Sequence, residues 1–253
     1  MKQYITLLLL FLPGIVFNFG FNKVCIADSD NGINGRYINE TYLDQIPDSI
    51  PGLVAAYCLE MNFHNSDSVE IFNGFEEYKL AYKKDGNKYL LINASRGKDF
   101  TFVLNVEGSI LLIDSAWTGN SVNSTFIKTK LNSRYGSKWI FDQYVNEKII
   151  AGDYTLFEND SSVNQTVSFM PDGTVTGLEN YSTYMVRYSG DCVGETNPVS
   201  NTITLKSNDG RNDTYAFIID RKNNLLSIYE IAPPVEDIKG EREILNLKFD
   251  SRK

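Results

Sequence analysis

The sequence predicts an all-β fold in two tandem halves, on three observations. Side chains alternate with period two, turn residues recur at short intervals, and one stretch occurs twice. The alternation is clearest where Tyr78, Leu80 and Tyr82 share one strand face and Lys79, Ala81 and Lys83 share the other. Phe100, Phe102, Leu104 and Val106 against Thr101 and Asn105 repeat it, as do Tyr184, Val186 and Tyr188 against Met185 and Arg187. β-Branched and aromatic residues in that register form half-buried strands. Lys84-Asp85-Gly86-Asn87, Asp172-Gly173, Asp209-Gly210 and Lys222-Asn223-Asn224 mark turns, because Gly and Asn accept the positive φ of a tight hairpin.

The recurring stretch is Met61–Lys83 and Val167–Ser189. Aligned without a gap, Phe63 falls on Phe169, Val69 on Val175, Tyr78 on Tyr184 and Tyr82 on Tyr188. Upstream, Gly35-Arg36-Tyr37 matches Gly152-Asp153-Tyr154. Downstream, Phe102–Leu104 and Ile110–Ile113 match Phe217–Ile219 and Leu225–Ile228. Each half carries one insertion, around Leu43–Gly52 and around Gly190–Val199, and insertions of this kind lie in loops.

The 253 residues therefore divide into a signal peptide (1–27), a flexible leader (28–34), a first half (35–131), a helical linker (132–149) and a second half (150–250). Strands are expected near 35–41, 54–63, 68–73, 76–83, 88–94, 99–106, 109–114 and 125–130 in the first half. In the second they are expected near 150–157, 164–170, 173–178, 182–189, 201–207, 213–220, 224–231 and 244–249. Short helices are expected over Tyr42–Ile46 and Ser137–Lys148, the latter with Trp139, Ile140, Tyr144 and Val145 near one face.

At Gly35-Arg36-Tyr37 and Gly152-Asp153-Tyr154 each half resembles a lipocalin-like (calycin) β-barrel, whose first strand opens on Gly-x-Trp or Gly-x-Tyr. Both tripeptides open a repeat and precede a strand meander. The Thr-Asp-Tyr signature of typical lipocalins is missing. The resemblance implies two tandem lipocalin-like antiparallel β-barrels with a short connecting helix, and it carries over no binding residue.

The N-terminus reads as a secretory signal. Lys2 precedes the apolar run Ile5–Leu12, which breaks at Pro13-Gly14, and cleavage after Ala27 fits Cys25-Ile26-Ala27. The rival processing leaves a lipidated Cys25. The protein is thus expected to be secreted or to lie in the periplasm or cell envelope, with a lipid anchor as its one route to a membrane. A formal net charge of −8 gives no electrostatic footprint for nucleic acid. Cys58 and Cys192 outlast signal removal, and in an exported chain they suggest a disulfide; a buried thiol at Cys58 is the alternative.

No CxxC or Cys/His cluster argues for a metal, and no Gly-x-Ser-x-Gly, P-loop or dinucleotide motif is present. His64 is the one histidine, and a structural role is expected for it. Glu76-Glu77 and Asp209/Asp213 are the candidate carboxylate pairs, against the simpler reading of solvated turns. No catalytic residue and no cofactor are expected. The inward tyrosines Tyr78, Tyr82, Tyr184 and Tyr188 either fill a core or line a cavity with aromatic faces. The leading expectation is an exported, non-enzymatic protein binding a small apolar or amphipathic ligand. A structural or interaction module with filled barrels is the alternative, and a carboxylate-based glycan hydrolase the third.

Overall fold

Eight of the expected strands close on themselves. In the computed structural model, β1 (Gly35–Asn39), β2 (Glu60–Phe63), β3 (Ser68–Phe72), β4 (Glu77–Asp85), β5 (Lys88–Ser95), β6 (Lys98–Leu104), β7 (Ile110–Asp114) and β8 (Val122–Thr129) form an antiparallel barrel. Each strand pairs with the next, and β8 returns to β1. The structure describes residues 32–64, 67–114, 122–131, 138–158, 161–188, 200–231 and 242–249. The signal segment and Cys25 lie outside them, as does Cys192. Among the described residues no helix is long and apolar enough to cross a membrane.

The second half is a sheet of the same connectivity, without a second closing ladder. Its strands are β9 (Gly152–Glu158), β10 (Ser161–Phe169), β11 (Val175–Thr176), β12 (Tyr181–Val186), β13 (Asn201–Ser207), β14 (Asn212–Asp220), β15 (Leu225–Glu230) and β16 (Arg242–Phe249). Their order is β11-β10-β9-β16-β15-β14-β13-β12. The end strands meet through the isolated bridge Thr174–Thr183 and a 2.7 Å bond from the Tyr184 N–H to the Gly173 carbonyl. β11 stops after two residues because Gly177, at φ +81°, turns the chain out of the sheet. The observed architecture is thus one closed barrel beside an eight-stranded sheet, where the sequence predicts two barrels.

The two halves place matching residues alike. Gly35 pairs with Phe63 and Gly152 with Phe169, both glycines at positive φ. Tyr37 meets Phe63 edge-on at 5.6 Å, and Tyr154 meets Phe169 edge-on at 5.7 Å. The next ring on Phe169 is Tyr184, at 4.9 Å; the next ring on Phe63 is Tyr82, at 5.3 Å. Tyr184 therefore stands where Tyr82 stands, not Tyr78. The ungapped alignment slips because Ser68 pairs with Ala81, thirteen residues on, whereas Thr174 bridges Thr183, nine residues on. The β3–β4 turn is longer by the difference of four.

Two buried clusters hold the fold. Inside the barrel pack Tyr37, Met61, Phe63, Val69, Tyr82, Phe100, Phe102 and Phe126, together with Ile33, which the sequence assigns to a flexible leader. The second cluster joins the halves: Ile38, Tyr42, Leu43, Ile46 and Leu59 pack with Phe141, Val145, Phe169, Tyr184 and Phe217. Tyr42 and Leu43 come from α1 (Glu40–Gln45), and Phe141 and Val145 from α2 (Phe141–Ile149). Asn39 starts α1 by accepting the Tyr42 N–H at 2.9 Å, and its amide donates to the Cys58 carbonyl at 2.8 Å. The expected strand over 54–59 does not form. Pro51–Leu53 is a 3₁₀ turn and β2 begins at Glu60. β6 ends at Leu104, and Val106, expected to continue its inward face, is exposed in the turn that follows.

Candidate functional site

Period-two alternation sends Tyr37 and Met61 into the barrel and leaves Arg36, Ile38 and Glu60 on its outer face. There the segment entering α2 lies across β1–β4. Glu60 accepts the Ile140 N–H at 2.9 Å, and Arg36 donates to the Lys138 carbonyl at 2.9 Å. Lys138 Nζ reaches Glu70 at 3.1 Å and Glu77 at 3.3 Å, and Trp139 Nε1 donates to Glu77 at 2.7 Å. Phe72 stacks on the Trp139 ring at 5.2 Å and 12°. His64 joins the edge of this network, 3.0 Å from Glu70.

The Glu60 side chain is fully buried. Its Oε1 lies 3.2 Å from Arg36 Nε but outside hydrogen-bonding geometry. Burial pushes the carboxyl up to about 7, against the Ile140 N–H, the Arg36 guanidinium and the Phe141 N–H, which pull it down; the Asp142 charge adds to the rise. Asp142 is also held above the usual carboxylate range by burial, opposed by its own N–H and that of Gln143. Two acids thus flank the start of α2. Asp142 lines a cleft, whereas Glu60 is sealed and cannot touch a ligand.

Two clefts open beside this strap, on either side of the β3–β4 turn. The first, about 580 Å³, lies at the barrel end where the β1–β2, β3–β4 and β5–β6 connections gather. Leu53, Val54, Ala56 and Tyr57 come from the first connection, Phe75 and Glu76 from the second, and Ala94 and Ser95 from the end of β5 that leads into the third. Tyr42 and Tyr188 complete it from the junction of the halves. Leu53 and Phe75 remain 57% and 59% exposed, an apolar rim that folding leaves in water. Phe75 is held out by an Asn73 turn, in which the Asn73 side chain accepts the N–H groups of Phe75 (3.1 Å) and Glu76 (2.8 Å). The Tyr42 hydroxyl donates to the carbonyls of Pro51 (2.9 Å) and Tyr188 (3.0 Å), and the Tyr57 hydroxyl to that of Ala94 (2.7 Å). With those hydroxyls committed to the backbone, the exposed wall is shared between apolar side chains and polar groups, Asn73, Glu76 and Ser95 among them.

The second cleft is about 500 Å³. Asp142, Arg187, Thr204, Asn212 and Thr214 line it with Phe72, Trp139 and Met185. Tyr188 belongs to both clefts, and the turn from Phe72 to Glu76 contributes residues to each.

The four tyrosines singled out by sequence divide between two environments. Tyr78 and Tyr188, from different halves, line the same cleft. Burial pushes the Tyr78 phenol up to about 12, so it stays a hydrogen-bond donor. Tyr82 and Tyr184 sit in the two cores, the Tyr184 hydroxyl donating to the Met170 carbonyl at 2.8 Å. Cys58 is fully buried in the barrel. Among the described residues no group of three His, Cys, Asp or Glu is placed to hold a metal. Glu77 is taken up by Lys138 and Trp139, and Asp209 by Arg211 at 2.8 Å. The sequence reading missed Tyr42, Leu53, Tyr57, Phe75 and Asp142. For Tyr42, Leu53 and Tyr57 a signal existed: the whole β1–β2 connection is too rich in Tyr, Leu and Ile for a solvated loop.

Fold and clefts together define a β-barrel protein with an aromatic-walled junction site. No protein-family model, curated protein or solved structure matches the chain.

Proposed function

We propose that this is an exported, non-enzymatic protein that binds a small apolar or amphipathic ligand, held in the cleft at the barrel end. The carrying observation is that cleft: about 580 Å³, within the range of small-molecule sites, with aromatic walls and an exposed rim of Leu53 and Phe75. The barrel interior is a poorer candidate, because rings fill its cross-section. Phe63, Tyr82 and Phe102 lie within 6.1 Å of one another by centroid, and Tyr89 stacks on Phe102 at 5.0 Å.

Both halves, in this reading, descend from one calycin-like barrel by duplication. The matching Gly–Phe registers and Tyr–Phe edge contacts support it. Export and signal cleavage after Ala27 belong to the same proposal and rest on the sequence alone.

The test is titration with the neutral fluorophore N-phenyl-1-naphthylamine. Saturable binding is expected, weakened roughly tenfold by Phe75→Ala through lost apolar contact. Tyr82→Phe, which keeps the core ring, is expected to bind as wild type. Absence of saturable binding, or indifference to both Phe75→Ala and Leu53→Ala, overturns the reading. The same filled interior favours a second one, an interaction module whose exposed Leu53 and Phe75 meet a protein partner.

A further inference from the structure

We infer that Asn73 is a site of spontaneous modification, its side-chain amide lost to attack by the main-chain nitrogen of Gly74. The chain contains the pairs Asn31-Gly32, Asn34-Gly35 and Asn73-Gly74, of which Asn31 lies outside the described residues. Glycine after asparagine leaves the attacking nitrogen without a side chain to shield it. The structure sets Asn73 apart from Asn34 at both reacting atoms. Asn73 Oδ1 accepts two main-chain N–H groups, from Phe75 at 3.1 Å and Glu76 at 2.8 Å. These donors face the oxygen that turns negative when Cγ is attacked, as an oxyanion hole does. Gly74 lies between β3 and β4, outside any ladder, and among the described residues its N–H makes no hydrogen bond. It also lines the second cleft, so solvent reaches it. Gly35, by contrast, opens β1 in register with Phe63, and Lys128 lies so close that an added Cβ would be 2.7 Å from its Cε. Drawing the Gly35 nitrogen into a ring breaks that register, and among the described residues the Asn34 side chain accepts no N–H.

The step balances with water and hydroxide alone. Hydroxide takes the Gly74 proton, the nitrogen attacks Cγ of Asn73, and Oδ1 becomes an oxyanion held by the Phe75 and Glu76 N–H groups. The Cγ–Nδ2 bond then breaks, and Nδ2 takes a proton from water and leaves as ammonia. Water opens the cyclic imide at either carbonyl. One opening leaves aspartate at position 73. The other leaves isoaspartate, in which the main chain runs through Cγ. Each adds one negative charge to a chain whose formal net charge is −8. The isoaspartyl form also lengthens the main chain by one carbon and removes the acceptor that holds Phe75 outward. On the ligand reading proposed above, that change disorders the rim of the barrel-end cleft, where Phe75 stands 59% exposed.

The experiment incubates the purified chain at mildly alkaline pH, folded in one arm and in guanidinium chloride in the other. Digestion and mass spectrometry follow, with fragment ions assigning conversion to each asparagine. In the folded chain Asn73 is expected to convert roughly tenfold faster than Asn34, because a hydrogen bond to the developing charge contributes about that much. In guanidinium chloride, where turn and strand are both gone, the two rates are expected to converge. Equal rates in the folded chain overturn the inference, as does an excess at Asn73 that persists in guanidinium chloride, which would come from the local sequence and not from the turn. The Asn73→Ser variant has no amide to lose at this position, and its hydroxyl still accepts a turn N–H. Aged wild type is expected to lose affinity for N-phenyl-1-naphthylamine as isoaspartate accumulates, while aged Asn73→Ser binds as it does when fresh. Conversion at Asn73 with no loss of binding leaves the modification site standing and overturns Phe75 as a ligand contact.

Discussion

Glu60 offers the sharpest test of how the halves are joined. Its carboxyl is fully buried between β2 and the start of α2, and it is raised from 4.5 to about 7. The folded chain thus holds this proton more tightly than the unfolded chain does. The associated stability is complete below pH 4.5, declines as pH rises, and is gone above about 7. At about 1.4 kcal/mol per unit, that interval amounts to a swing of about 3 kcal/mol. Glu60→Gln removes the titration and keeps an oxygen to accept the Ile140 N–H. The stability of the variant relative to wild type is therefore expected to rise by about 3 kcal/mol between pH 4 and pH 8. Urea unfolding of both proteins at several pH values in that range measures it. The difference cancels titrating groups that do not interact with Glu60, whereas Asp142, whose charge acts on it, stays within the measured swing. A flat difference, or wild type gaining on the variant as pH rises, would show that Arg36 and the α2 N–H groups outweigh burial. The reasoning would then be refuted.

Four further outcomes are expected. At Gly177 an added Cβ would lie 2.0 Å from the Thr166 carbonyl oxygen, at φ +81°. Gly177→Ala should therefore cost about 2 kcal/mol or more, whereas Gly86→Ala, with nothing near, should cost about 1 kcal/mol; equal melting shifts would contradict this. Residues 150–253 expressed alone should lack cooperative unfolding, because Ile38, Tyr42, Leu43 and Phe141 of the shared core are missing; a sharp two-state transition would show an autonomous half. Cys58, fully buried, should resist maleimide in the folded chain. In material from an oxidising compartment a non-reducing digest should contain the proposed Cys58–Cys192 peptide, and two separately alkylated peptides would sink that bond.

The sequence by itself determined the strands. Tyr78, Leu80 and Tyr82 share the inward face as alternation requires, and β13 occupies the predicted 201–207. This information is local, since period two and turn chemistry depend on residues a few positions apart. The Gly35 and Gly152 openings were legible for the same reason, each being a short pattern before a strand. What lay beyond reach was set by residues far apart in the chain. Glu60, Glu70 and Glu77 alternate as solvent-facing residues do, and only the Lys138–Ile140 segment lying across them turns that face into an interface. The length of the β3–β4 turn decided that Tyr78 lines a cleft while Tyr184 fills a core, a four-residue shift that similar aromatics on both sides conceal. The clefts themselves belong to tertiary structure alone. Tyr78 and Tyr188 come from different halves, and no periodicity within a strand encodes which distant loop will wall the space beside it.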